Sequence, residues 1–103
     1  MKPDELRRYA ELIVRGCIAF RRGDTLLELV SFGHRDLAVA IAEAAYRAGA
    51  LAVDVAYDDN RVYAAKIQHA SKDALGHQTP WKQAQWRAFG EESVAIVQVM
   101  GEY

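Results

Sequence analysis

The chain has 103 residues and a mass of 11.5 kDa, with 51% hydrophobic and 26% charged residues. That length suits one domain or a piece of one, able to bury roughly 60–70% of its unfolded surface, and the composition excludes a disordered protein. Thirteen basic against fourteen acidic residues leave a formal charge of −1, so composition enforces no basic face and argues against nucleic-acid partners. The single cysteine, Cys17, forbids an internal disulfide, and its neighbours Ile13, Val14, Ile18 and Phe20 predict a small buried hydrophobe rather than a nucleophile. No apolar run approaches the ~18 residues of a membrane span. The Met1-Lys2-Pro3-Asp4-Glu5 start carries charges where a signal peptide needs apolar residues, so a cytoplasmic protein is expected.

Pro3 suits the first turn of a helix, where its missing N–H is no loss, and Asp4 and Glu5 suit the positive end of the helix dipole. Leu6, Tyr9, Ala10, Ile13, Val14, Cys17 and Ile18 recur at three- and four-residue spacing as one apolar stripe. Glu11 and Arg15 form a favourable i,i+4 pair, and Gly16 weakens the last turn. Arg21-Arg22-Gly23-Asp24 reads as a turn into the apolar run Thr25-Leu26-Leu27-Glu28-Leu29-Val30-Ser31-Phe32. An alanine-rich helical segment from Leu37 to Ala48 follows, with Asp36 as its expected cap and a small face suited to close packing on a sheet. After the Gly49 stop comes a second apolar run, Leu51 to Tyr57. Strand, helix of about a dozen residues and strand is the sequence form of a βαβ unit. Nearly continuous hydrophobic runs suggest parallel strands buried on both faces, joined by a right-handed crossover.

Asp58-Asp59-Asn60 is a turn or cap, and Val62, Tyr63, Ile67 and Ala70 suggest a third short helix with Arg61 and Lys66 outward. Ser71 to Gly76 reads as a single helical turn. Thr79-Pro80 starts a further helix through Trp81, Ala84, Gln85, Ala88 and Phe89, ending at Gly90. Ser93 to Met100 is the third strand, followed by Gly101-Glu102-Tyr103. The expected fold is α/β: a three-layer, mostly parallel open sheet with a Rossmann-like βαβ core. Residues 1–103 form one α/β domain or the N-terminal fragment of a larger one. Because such sheets usually hold about four to six strands, three strands read as a domain interrupted partway.

Gly33 to Ala38 lies where a strand gives way to a helix, the usual phosphate position in doubly wound folds. Gly33 and Ala38 fit the ends of G-x-G-x-x-G/A, and Asp54 falls where a ribose-binding acid would. Arg35 stands where the second glycine would admit pyrophosphate, which favours an ordinary connection over a nucleotide site. His34, His69 and His77 are the three histidines; His69 and His77, eight apart with Gly76 between them, match no common zinc spacing, and adjacent Asp58 and Asp59 suit a cap better than a metal. Trp81 is expected in the core and Trp86 at a rim or interface. A serine nucleophile elbow is absent. The residues therefore nominate no catalytic, cofactor-binding or metal-binding side chain.

Three segments, in order, carry a resemblance. Tyr9-Ala10-Glu11-Leu12-Ile13-Val14 comes with Gly23-Asp24-Thr25-Leu26-Leu27; Ala44-Ala45-Tyr46-Arg47-Ala48-Gly49-Ala50 comes with Val53-Asp54-Val55. The third is His69-Ala70-Ser71-Lys72-Asp73-Ala74-Leu75 with Pro80-Trp81-Lys82. Together they resemble the N-terminal part of the thermophilic-type metalloaminopeptidases, the aminopeptidase T or leucyl aminopeptidase family. The resemblance implies a homodimeric two-domain enzyme that removes N-terminal residues from peptides with two divalent metals, zinc, cobalt or similar. It also implies metal ligands in a C-terminal catalytic domain, with none at a position of this chain, which alone would be inactive. The alternative is a stand-alone Rossmann-like module that binds a nucleotide or a partner without catalysis.

Overall fold

A computed structural model describes residues 2–18, 20–91 and 94–99. Helix α1 (Pro3–Leu12) runs into a π-helical turn (Ile13–Cys17), then strand β1 (Thr25–Ser31), a 3₁₀ turn (Phe32–His34) and helix α2 (Arg35–Arg47). Strand β2 (Ala52–Asp58), helices α3 (Asn60–His69), α4 (Lys72–Leu75) and α5 (Pro80–Glu91), and strand β3 (Val94–Val99) complete it. The sheet is all parallel with order β2-β1-β3. Of the predicted third strand, Ser93 and Met100 lie outside the described residues, as does the Gly101-Glu102-Tyr103 end.

The central place of β1 follows from its sequence. Leu26, Leu27, Glu28, Val30 and Ser31 are all buried, as a strand covered on both faces requires. The second apolar run does not share that burial: β2 is an edge strand with Val53 and Val55 half-buried and Asp54 and Asp58 exposed. β3 is the other edge, with Ala95, Val97 and Val99 partly covered and Ile96 and Gln98 exposed. Strands pair from Thr25 against Ala52 and Val94 onward, so Leu26, Val53 and Ala95 share one face. That face meets α1 and α2 through a core of Ala10, Val14, Leu26, Ile41, Ala44 and Ala45. Alanine at these helix positions removes side-chain bulk and lets the backbones approach.

The π turn corrects the expectation for Cys17, which is exposed. The amide of Ile18 donates to the Ile13 carbonyl at 3.2 Å, an i→i+5 bond that widens the last turn. The inward positions become Ala10, Val14 and Ile18, and Cys17 swings to solvent. Asp36 is likewise not the cap of α2. The capping position is His34, which makes no side-chain capping bond, and Asp36 lies in the first turn as a charge favourable to the dipole.

Glu11 pairs as expected with Arg15 at 3.1 Å, and also receives Arg47 of α2 at 3.0 Å. The latter ties α1 to α2 across the surface. At α2's end, Gly49 adopts φ +95°. Its amide donates to Tyr46 and that of Ala50 to Ala45, the paired bonds of a glycine-terminated helix. The same turn anchors the entry to β1: Gly23 donates to Gly49 at 2.8 Å, and Leu51 donates to Asp24 at 2.9 Å.

The later helices start where expected, although Thr79 Oγ1, placed as a cap before Pro80, has no hydrogen-bond partner among the described residues. Asp59 accepts from the Arg61 amide, Ser71 accepts from that of Ala74, and Pro80 opens α5, which runs past Gly90 to Glu91. Their packing does not match. Val62, Tyr63 and Ile67 of α3 are exposed, and Trp81, expected in the core, is 72% exposed. The radius of gyration, 15.7 Å, exceeds the roughly 13 Å of a compact chain this long.

Gly49→Ala tests the turn that locks α2 to β1. A Cβ at this position would stand 2.5 Å from Arg22 Cγ, in a backbone conformation that L-residues disfavour. Urea unfolding should show a loss of about 1–2 kcal/mol or more. An unchanged midpoint would mean that the turn relaxes freely.

Candidate functional site

Open α/β sheets bind ligands beyond the carboxyl ends of their strands, where successive crossovers leave to opposite faces. Here β2 lies on one side of β1 and β3 on the other. Two crossovers of the same hand must then cover opposite faces. The placement agrees: α2 packs on the Leu26 face, and α5 brings Lys82 and Trp86 over Leu29 and Ser31 at the far end of β1.

The cleft so formed has a volume of about 260 Å³. Ser31 from β1, Asp58 from β2, Asn60 at the start of α3, Lys82 and Trp86 from α5, and Gln98 from β3 supply its distinctive side chains. Trp86 is held edge-on to Phe89, with ring centroids 5.6 Å apart, and is 53% exposed at the rim, as expected for it. One carboxylate, one ammonium, a hydroxyl and two amides can orient a polar group by hydrogen bonds.

The glycine turn gathers less. Phe32, Gly33, Arg35 and Asp36 line a separate open depression. Arg35 is the first residue of α2 and exposed, so its side chain stands where backbone would have to meet a pyrophosphate. Asp54 lies on exposed β2, paired in register with Leu27 and remote from that turn along the sheet. His34, His69 and His77 are not brought together. Among the described residues no three His, Cys, Asp or Glu side chains converge as a metal would need. The described residues therefore do not fit a metal pair. Asp58 and Asp59 part company: Asp58 enters the cleft, while Asp59 caps α3. Hydrogen bonds from the Arg61 side chain and amide hold the Asp59 carboxyl below its ordinary range.

One unusual residue escaped the reading of the sequence. Glu28, in the middle of β1, is 0% exposed, and neither carboxylate oxygen has a hydrogen-bond partner among the described residues. Burial pushes its pKa up to about 7. The available signal was a lone acid inside a run that is otherwise apolar on both faces.

A family model for thermophilic metalloproteases (M29) matches residues 2–103. Wild-type AmpT from Thermus thermophilus has a similar solved structure, with TM-score 0.81 and 26% sequence identity. The match covers 96% of this chain and 25% of AmpT, so the chain spans about a quarter of that relative's length. A search of curated proteins finds no match. No described helix is long and apolar enough to cross a membrane. With the match running from Lys2 to the last residue, the chain belongs to the M29 family of thermophilic metalloproteases.

Proposed function

We propose that this chain is the N-terminal scaffold segment of a metal-dependent aminopeptidase of the leucyl aminopeptidase type. It contributes a wall of the substrate cavity, while a C-terminal domain supplies two divalent metals and the hydrolytic groups. The observation that carries this reading is the full-length family match, together with a likeness that spans only a quarter of AmpT. Two-metal hydrolysis needs several carboxylates and histidines around ions roughly 3.5–4 Å apart. The described residues gather no such set. The exposed apolar side chains of α3 and α5 support the same reading, because isolated domains rarely leave so many large groups in water. On this reading the complete enzyme works on peptides as a cytoplasmic homo-oligomer.

The 103-residue chain should release no chromogenic amine from leucyl or other aminoacyl substrates, with or without zinc, cobalt or manganese. Activity that scales with this protein and disappears on chelation would place the catalytic groups here and overturn the reading. NAD, FAD and ATP should bind no better than millimolar by calorimetry, with Arg35 obstructing. Micromolar binding would favour the alternative of a stand-alone nucleotide-binding module.

The isolated chain should also self-associate. The outward amide of Val53 on β2 donates to the Tyr46 hydroxyl at 3.1 Å, and Asp54 and Asp58 add charge to that edge. Such features discourage strand pairing. Val94–Val99 on β3 carries no lysine, proline or charge. Sedimentation should show oligomers that grow with concentration, and Ile96→Lys should reduce them while circular dichroism is preserved. A monomer at high concentration would remove this support for an incomplete domain.

A further inference from the structure

β1 holds a carboxyl group where no charge is stable. Glu28 lies on the Leu26 face of the central strand, since alternate residues of a strand share a face. Its register partners are Val55 on β2 and Val97 on β3. The helices over this face contribute Ala10, Val14, Ile41 and Ala44 to the core. An ionised carboxylate in such a place is heavily penalised unless paired, and a lone group takes up a proton instead.

The titratable groups of the surrounding elements lie elsewhere. Glu11, Arg15 and Arg47 pair with one another at the surface of α1 and α2. The remaining charged residues of the two helices, Asp4, Glu5, Arg7, Arg8, Arg35, Asp36 and Glu43, are exposed, as are Tyr9 and Tyr46. On β2, Tyr57 shares the face but is half exposed and pairs with Val30, while Asp54 and Asp58 alternate to the opposite face. The described part of β3 carries no titratable side chain. His34 lies past the end of β1, about 10 Å of strand beyond Glu28.

We propose that Glu28 is a proton-controlled latch: its protonated carboxyl lets the α1–α2 layer close on the sheet, and its ionisation favours lifting of that layer. The inference concerns the core of this segment and does not rest on the aminopeptidase reading. In the closed state the group titrates near 7, raised by burial, and in an opened or unfolded state near its ordinary 4.5. Below pH 4.5 both states hold the proton, so the full closed-state stability is present. Between 4.5 and 7 only the closed state holds it, and stability falls as pH rises. Above 7 both states are ionised and the dependence levels off. A difference of this size raises the opening equilibrium constant on the order of 100-fold or more across that window.

The test uses the unsubstituted 103-residue chain and Glu28→Gln, which keeps the shape of the protonated acid without its titration. The side-chain carboxyl carbon of Glu28, followed by NMR, should titrate with a midpoint near 7. Urea unfolding at fixed pH values from 4 to 9 should show the fall between 4.5 and 7 in the unsubstituted chain and lose that component in Glu28→Gln. A midpoint in the ordinary carboxylate range would overturn the latch, as would an unchanged pH profile in Glu28→Gln. Should Glu28→Gln fail to fold, Glu28→Met replaces it in the pH profile, and the NMR midpoint of the unsubstituted chain is read beside it.

Discussion

Parallel pairing of β1 on both of its edges is the constraint from which the other features follow. A parallel neighbour cannot be reached by a tight turn, so each connection must cross a face of the sheet. With β2 and β3 on opposite sides of β1, the two connections occupy opposite faces. β1 must then be apolar on both, and Leu26 and Val30 serve one side while Leu27 and Leu29 serve the other. The edge strands face a weaker demand. On β2 only Val53, Val55 and Ala56 are partly covered, and on β3 Ile96 and Gln98 stay open to water.

The two covering layers differ in completeness. On the Leu26 face, small α2 residues permit close approach, the Gly49 turn fixes where α2 stops, and Glu11 links it to α1. Surface ion pairs of this sort add only about 0–1 kcal/mol each, so the apolar contacts dominate. On the other face, α3 to α5 leave Val62, Tyr63, Ile67, Trp81 and Trp86 exposed. Burying a large apolar side chain is worth roughly 1.5–3 kcal/mol. Five such groups amount to about 10 kcal/mol, comparable to the whole stability of a typical domain. A face with that much unused driving force is suited to an interface, in keeping with a segment that matches a quarter of its structural relative.

Local signals were the legible part of the sequence. The βαβ unit, the third strand, the cap at Asp59, the helical turn from Ser71 and the start at Pro80 all depend on a few neighbouring residues, and each appears where its residues place it. The strand order β2-β1-β3 was not legible in this way, since either apolar run of the βαβ unit could occupy the middle of the sheet. Cys17 was misjudged because a 3.6-residue period does not foresee one widened turn. Trp81 was misjudged for a different reason: an apolar stripe says that a face seeks cover without saying whether the same chain supplies it. Glu28 went unremarked because strand periodicity assigns it to a face, and only the covering helices reveal that the face is dry.

The cleft beyond the strand ends illustrates how a familiar position can lack the chemistry often found there. Two divalent ions bring four positive charges, and a stable centre needs comparable anionic ligation. Asp58 is the single carboxylate lining the cleft among the described residues, and Lys82, which lines it too, opposes a cation. Ser31, Asn60 and Gln98 can direct hydrogen bonds, while Trp86 offers an apolar rim. Such a set can position a neutral or zwitterionic group. The acid with the raised pKa, Glu28, is beyond the cleft's reach as well, because its side chain points to the opposite face from Leu29 and Ser31. Shape and hydrogen bonds are what the cleft side chains of this segment can offer a bound group. The protonation chemistry that it does contain acts on its own packing.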